Sequence, residues 1–193
     1  MSNTKKKPAL RRSDPDYRWI LFIFFSTVLI SAVMSLVSSR LLGHSGIAVS
    51  CMIVVCIIML GIVFDIIGIA VTRADEAPFH AMASRKIPEA ADAIMLIRNA
   101  GRVSSFCNDV IGDICGVISG AASAAIVARI LILRPDGSEL WLNLVFSALV
   151  AGLTVGGKAF GKTFAIQSST NVVRSTARIL CFFRTLRKRL RRK

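Results

Sequence analysis

Histidine is nearly absent from this sequence, and charge is scarce and uneven. There are two histidines in 193 residues, His44 and His80, and neither neighbours a cysteine or a cluster of carboxylates. Zinc sites and catalytic triads need imidazole in such company, so the sequence does not read as an enzyme of the hydrolase, triad or zinc kind. The five cysteines (Cys51, Cys56, Cys107, Cys115 and Cys181) lack metal-ligand spacing, and four of them lie in apolar runs. That is the pattern of small hydrophobes within helices. Charged residues make up 19% of the chain, against about a quarter in a soluble domain. Acids are the rarer sign, 11 against 25 Lys and Arg, which leaves a formal charge of +14. Such a balance is compatible with nucleic acid, but the positive charges sit at the two ends and in one middle segment. The stretches between are almost uncharged, the chain is 54% hydrophobic, and its mean hydropathy is +0.63. A membrane protein distributes its residues this way, and no nucleic-acid partner is expected.

Along the chain, residues 1–18 are polar, basic and proline-containing, and read as a tail. Four apolar runs follow, at 19–37, 46–71, 105–133 and 140–156, each near the roughly 20 residues that cross a bilayer as helix. The first is too long for a signal peptide and leads straight into the second, so it reads as an anchor. Between the second and third runs, 73–104 interleaves charges with Ile87, Ala90, Ala91, Ile94, Met95 and Ile97, a helical amphipathic pattern. The segment RPDGSE (134–139) is a turn by its Pro-Asp-Gly core. Residues 161–193 read as a basic juxtamembrane helix and tail. The expected fold is an all-α polytopic membrane protein with its membrane domain at 19–160.

Charge orients this layout. Six Lys and Arg lie in the N-terminal tail, five in 73–104 and eleven from Lys158 onward, while the connections 38–46 and 134–139 carry one each. By the positive-inside rule both termini and the 73–104 segment are cytoplasmic, and the expected location is the cell (plasma) membrane. The terminal RTLRKRLRRK is expected to attract anionic lipids of the bilayer. The small residues of SGAASAA (119–125) permit close helix approach, within one chain or between two copies.

Three acids fall inside apolar runs: Asp65, Asp109 and Asp113. Ionisable groups at such depth are costly and by default mark function or buried pairing. Asp109 and Asp113 are four apart and share a helix face, with Asn108 beside them. Mg²⁺ takes oxygen ligands and keeps several waters, so Asp65, Asn108, Asp109 and Asp113 are candidate ion-site residues. The alternative is that these acids are solvated at the ends of their spans. GGKAFGKTFA (156–165) resembles a phosphate loop only superficially, because it reads GKxxGKT and follows an apolar run. It is expected to be the end of the last span turning into a juxtamembrane helix.

Three motifs together resemble the CNNM/CorB-type transmembrane domain of magnesium transporters: VFDIIGIAVTRAD (63–75), FCNDVIGDI (106–114) and GKAFGKTFA (157–165). The resemblance covers Val63 to Leu180, about two-thirds of the chain. The family's motifs are of the form FFSxSExALT, GNxxVN and GExxPKxLA, and this chain keeps Phe64, Ala70, Val71, Thr72, Asn108, Gly157, Lys162 and Ala165 in register. The resemblance implies a divalent-cation transporter, Mg²⁺ as its ion, and a homodimer. It also implies losses at the metal site. The family's first Ser becomes Asp65, the second Ile67 and the adjacent Glu Gly68. The second Asn becomes Gly112, the last Glu becomes Lys158 and the Pro becomes Gly161. An ammonium has no lone pair for a metal. Either the site is rebuilt from Asp65, Asn108, Asp109 and Asp113 with Lys158 tuning it, or Lys158 neutralises Asp65 or Asp109 and transport is lost, leaving a membrane partner or regulator. The resemblance stops at the membrane domain, without the CBS domains that family members usually carry, so the membrane domain and its tails are expected to act alone.

Overall fold

A computed structural model describes residues 17–133 and 138–190, with His44 and 188–190 as backbone only. The tail before Tyr17, most of the RPDGSE turn and the last three residues lie outside the described residues. The chain folds as the expected all-α polytopic architecture. Helices α1 (Tyr17–His44), α2 (Ile47–Arg73), the continuous stretch Ala100–Leu133 and α7 (Glu139–Gln167) are each long and apolar enough to cross a membrane. The third of these is α5 (Ala100–Ser105), a π-helical segment (Phe106–Gly112) and α6 (Asp113–Leu133) in succession. Among the described residues there is no strand.

Helix α2 is the hub. Its Val54, Ile58 and Ile62 pack with Ala122 and Ile126 of α6. On another side, Ile57 joins Val110, Ile114, Cys115 and Ile118. These contacts are close because small residues line them: a Cβ on Gly61 would stand 2.9 Å from that of Cys115. The expected packing stretch 119–125 divides accordingly. Ser119, Ala122 and Ser123 are buried against the bundle, whereas Gly120, Ala121, Ala124 and Ala125 face outward.

Helix α1 lies at the edge, with Leu21, Phe22, Phe25, Leu29 and Leu36 all exposed. Lipid tails are as apolar as leucine, so this exposure suits a bilayer. Two arginines fasten α1. Arg129 of α6 donates to the carbonyls of Leu42 (2.8 Å), Ser45 (2.6 Å) and Gly43 (3.1 Å). Those are orphan acceptors at a helix C-terminus, where a cation also complements the helix dipole. At the other end, Arg102 lies 5.2 Å over the Trp19 ring, a cation–π contact.

Helix α7 runs well past the expected end of its span. Gly156 and Gly157 lie within it, and it stops only at Ser168. Glycine weakens an exposed helix by entropy, but α7 is packed on α2 here, and the absent Cβ of Gly157 lets Ile62 pack against the backbone. Gly157 therefore serves helix packing, whereas Gly156 beside it faces open space.

The amphipathic segment 73–104 is three short helices: α3 (Ala77–Ser84), α4 (Ala90–Arg98) and then α5. The end of α3 is a Schellman motif. Lys86 has φ 57°, its N–H meets the Ala83 carbonyl at 2.9 Å, and the Ile87 N–H meets that of Met82 at 3.2 Å. After Ser168 comes α8 (Ser169–Leu190). Its Val173 and Ala177 join Phe79, Ala93, Leu96, Ala70, Val71 and Ala165 in a third core, which gathers α3, α4 and α8 on the ends of α2 and α7. Two ion pairs fasten it: Arg184–Asp92 at 2.6 Å and Arg178–Glu89 at 3.6 Å.

Candidate functional site

Motif residues from three elements meet in one region. FCNDVIG (106–112) forms the π-helical segment, a geometry that adds a residue per turn and is frequent at functional sites. Within it, Asn108 donates to the Ser104 hydroxyl at 3.2 Å. Its Oδ1 is buried and has no hydrogen-bond partner among the described residues. A Cβ on Gly68 would collide with that amide. Gly68 thus makes room for Asn108, and only glycine fits the approach.

Asp65 stands three residues before Gly68 and is half-buried. Lys158, Asp113, Lys162 and Asp109 all act on it electrostatically. Asp65, Asp109 and Asp113 therefore share a neighbourhood. Lys158 and Lys162 reach it from α7, one helical turn apart on the same face. Gly157 and Gly161 allow this: Gly157 packs on Ile62, and a Cβ on Gly161 would stand 2.9 Å from Ile66 Cγ1. Both keep α7 close to the turn of α2 that carries Asp65.

The Lys158 ammonium lies over the end of the π-segment, where a Cβ on Gly112 would come within 3.4 Å of Nζ. Its ion-pair partner is Asp113, at 4.0 Å, rather than the Asp65 or Asp109 that the sequence left open. The pair is loose, and the Lys158 side chain is 28% exposed and that of Asp113 72%. Asp109 is likewise exposed.

Chemically the region offers three carboxylates and one unsatisfied amide oxygen, faced by two ammoniums. The oxygens are those a hard divalent cation prefers; the ammoniums compete for the same space and ligate nothing. Among the described residues no group of three or more His, Cys, Asp or Glu is placed to hold a metal ion, so the carboxylates are neighbours without forming a ready cage. Residue-by-residue reading overlooked two features: the π-helical geometry and the seat of Asn108 on Gly68. It named Lys162 only as a motif residue, although its i, i+4 spacing from Lys158 places it on the same face. No family model matches this chain, and neither a curated protein nor a solved structure is similar to it.

Proposed function

We propose that this chain is a plasma-membrane protein of CNNM/CorB-like design, homodimeric as that resemblance implies, whose cation site is altered by its own lysine. Mg²⁺ or a related divalent ion then moves through it weakly compared with an unblocked site. The observation that carries this reading is the buried, unpartnered Asn108 Oδ1, seated on Gly68 in a π-helical segment; Asp65 lies three residues before Gly68, and Asp109 and Asp113 act on Asp65 electrostatically. An acceptor left unsatisfied in the interior costs about 1–3 kcal/mol, a cost relieved when a cation or its hydration water supplies the partner. Lys158 limits such occupation by holding its ammonium 4.0 Å from Asp113.

The second reading is a membrane partner or regulator that keeps the architecture and transports nothing. It is favoured by the lack, among the described residues, of three metal-binding side chains placed together. Mg²⁺ flux into proteoliposomes separates the two. The first reading expects slow flux that Asp109→Asn lowers and Lys158→Glu raises. Flux at the level of empty liposomes in the parent and in Lys158→Glu alike sinks the first reading and leaves the second.

A further inference from the structure

Helix α8 has two faces with different surroundings. One face carries the buried Val173 and Ala177, and Arg184 in its 2.6 Å bond to Asp92. At 100° per residue the opposite side collects Ile179, Phe182, Phe183 and Leu186 in an arc of about 100°, the width of an amphipathic stripe. All four are exposed, and the two phenylalanines meet edge to face at 5.9 Å. Arg178 and Arg187 border this arc on its two sides. An exposed apolar stripe bordered by arginines on a helix that is already docked elsewhere calls for a second environment.

We propose that this stripe lies in the headgroup boundary of an anionic bilayer leaflet. Three observations choose that occupant. The chain passes from α7 to α8 through the single residue Ser168, so α8 starts where an apolar span has just ended. From Ser169 to the end of the chain there are nine Lys or Arg and no acid, so two copies of α8 repel one another whereas anionic phosphates attract each. The stripe itself, two phenylalanines with aliphatic neighbours beneath a basic face, is the composition of a helix lying in the interface plane. The Asp92–Arg184 and Glu89–Arg178 pairs give such a helix a fixed seat on α4, so that lipid on one face and α4 on the other hold it together.

The test uses the full chain reconstituted in vesicles of pure phosphatidylcholine or of phosphatidylcholine with phosphatidylglycerol. Phe183→p-benzoylphenylalanine is irradiated and its adducts are identified by mass spectrometry. Lipid adducts are expected, in higher yield with phosphatidylglycerol. Replacing exposed Arg187 by Gln lowers that preference by about fivefold, the factor equivalent to roughly 1 kcal/mol per basic residue near an anionic surface. Arg174→Gln, away from the stripe's edge but on the same basic helix, gives a smaller loss. Adducts to a second copy of the chain overturn the proposal in favour of a dimer contact. Absence of lipid adducts, or equal yields in both vesicles, overturns it as well. Helicity by circular dichroism, unchanged in each variant, separates loss of binding from loss of fold.

Discussion

Two acid–base encounters in this molecule differ in almost every physical respect. Arg184 meets Asp92 at 2.6 Å, and the Asp92 side chain is 4% exposed. Lys158 meets Asp113 at 4.0 Å, and the Asp113 side chain is 72% exposed. The first is a short charge-assisted hydrogen bond to a buried acid, on the seam between α4 and α8. The second is a loose pairing over Gly112, beside an amide oxygen without a partner. Burial decides what each does. Removing one member of a buried pair strands the other at a cost of several kcal/mol, so the α4–α8 pair fixes structure. An exposed pair contributes about 0–1 kcal/mol, so the Lys158 pair adds little to the stability of the fold.

The contrast breaks most visibly at Arg184. Arg184→Ala leaves the buried Asp92 carboxylate without its partner and is expected to destabilise the α4–α8 seam by on the order of 3 kcal/mol. Hydrogen exchange should rise in α4 and α8 while α2 and α6 stay protected. Unchanged exchange in α8 would show that Val173 and Ala177 hold it alone. Next in size is Gly68→Ala, which drives a Cβ into Asn108 and overpacks the π-segment at about 1–3 kcal/mol, read as a lower thermal midpoint in detergent. Lys158→Gln should move the same midpoint by less than about 1 kcal/mol and yet change Mg²⁺ affinity, which is the inverse of the Arg184 result. Lys86→Gly relieves a left-handed conformation in a non-glycine residue and is expected to stabilise by about 0.5–1 kcal/mol.

The smallest effect is one of pH. His80 first, then Arg98, hold the Glu76 carboxyl below the usual glutamate range. A depressed carboxylate stabilises the fold above its unfolded value, and that contribution is lost as pH falls through the folded one. Glu76 is at the surface, with Arg98 bonding it at 3.3 Å, so the loss is slight and confined to acid below the ordinary glutamate range. Glu76→Gln should flatten that part of the stability–pH curve and leave neutral pH untouched.

The four spans were legible because hydropathy over 20 residues integrates many side chains, and no single one decides it. The interleaved charges of 73–104 were legible for the same reason, although its division into α3, α4 and α5 depends on local events: the left-handed Lys86, Pro88, and the break at Asn99. Less is legible where one residue decides. Gly156-Gly157-Lys158 looks like the end of a span, since glycine and lysine commonly mark one, and α7 continues as helix through it to Gln167, with Gly157 packed on Ile62 of α2. The candidate acids were found from their depth in apolar runs, and Asp65, Asp109 and Asp113 do share a neighbourhood. Which of them Lys158 meets was not legible, because a seven-residue π-segment between Phe106 and Gly112 alters the register of Asp113 relative to α7. Nothing in residue type announces a π-turn. Here it coincides with the seating of Asn108 on Gly68, a tertiary contact.

On the proposed reading, Lys158, and not the bilayer or the fold, limits cation entry beside Asn108. The most direct measurement is Mg²⁺ flux in proteoliposomes holding the parent chain or Lys158→Glu at equal density and orientation. The account expects slow flux in the parent, faster flux in Lys158→Glu, and loss of that gain when Asn108→Ala is added. Parent flux that is already fast and is abolished by Lys158→Glu would contradict it, because the lysine would then be part of the ion path rather than a block on it.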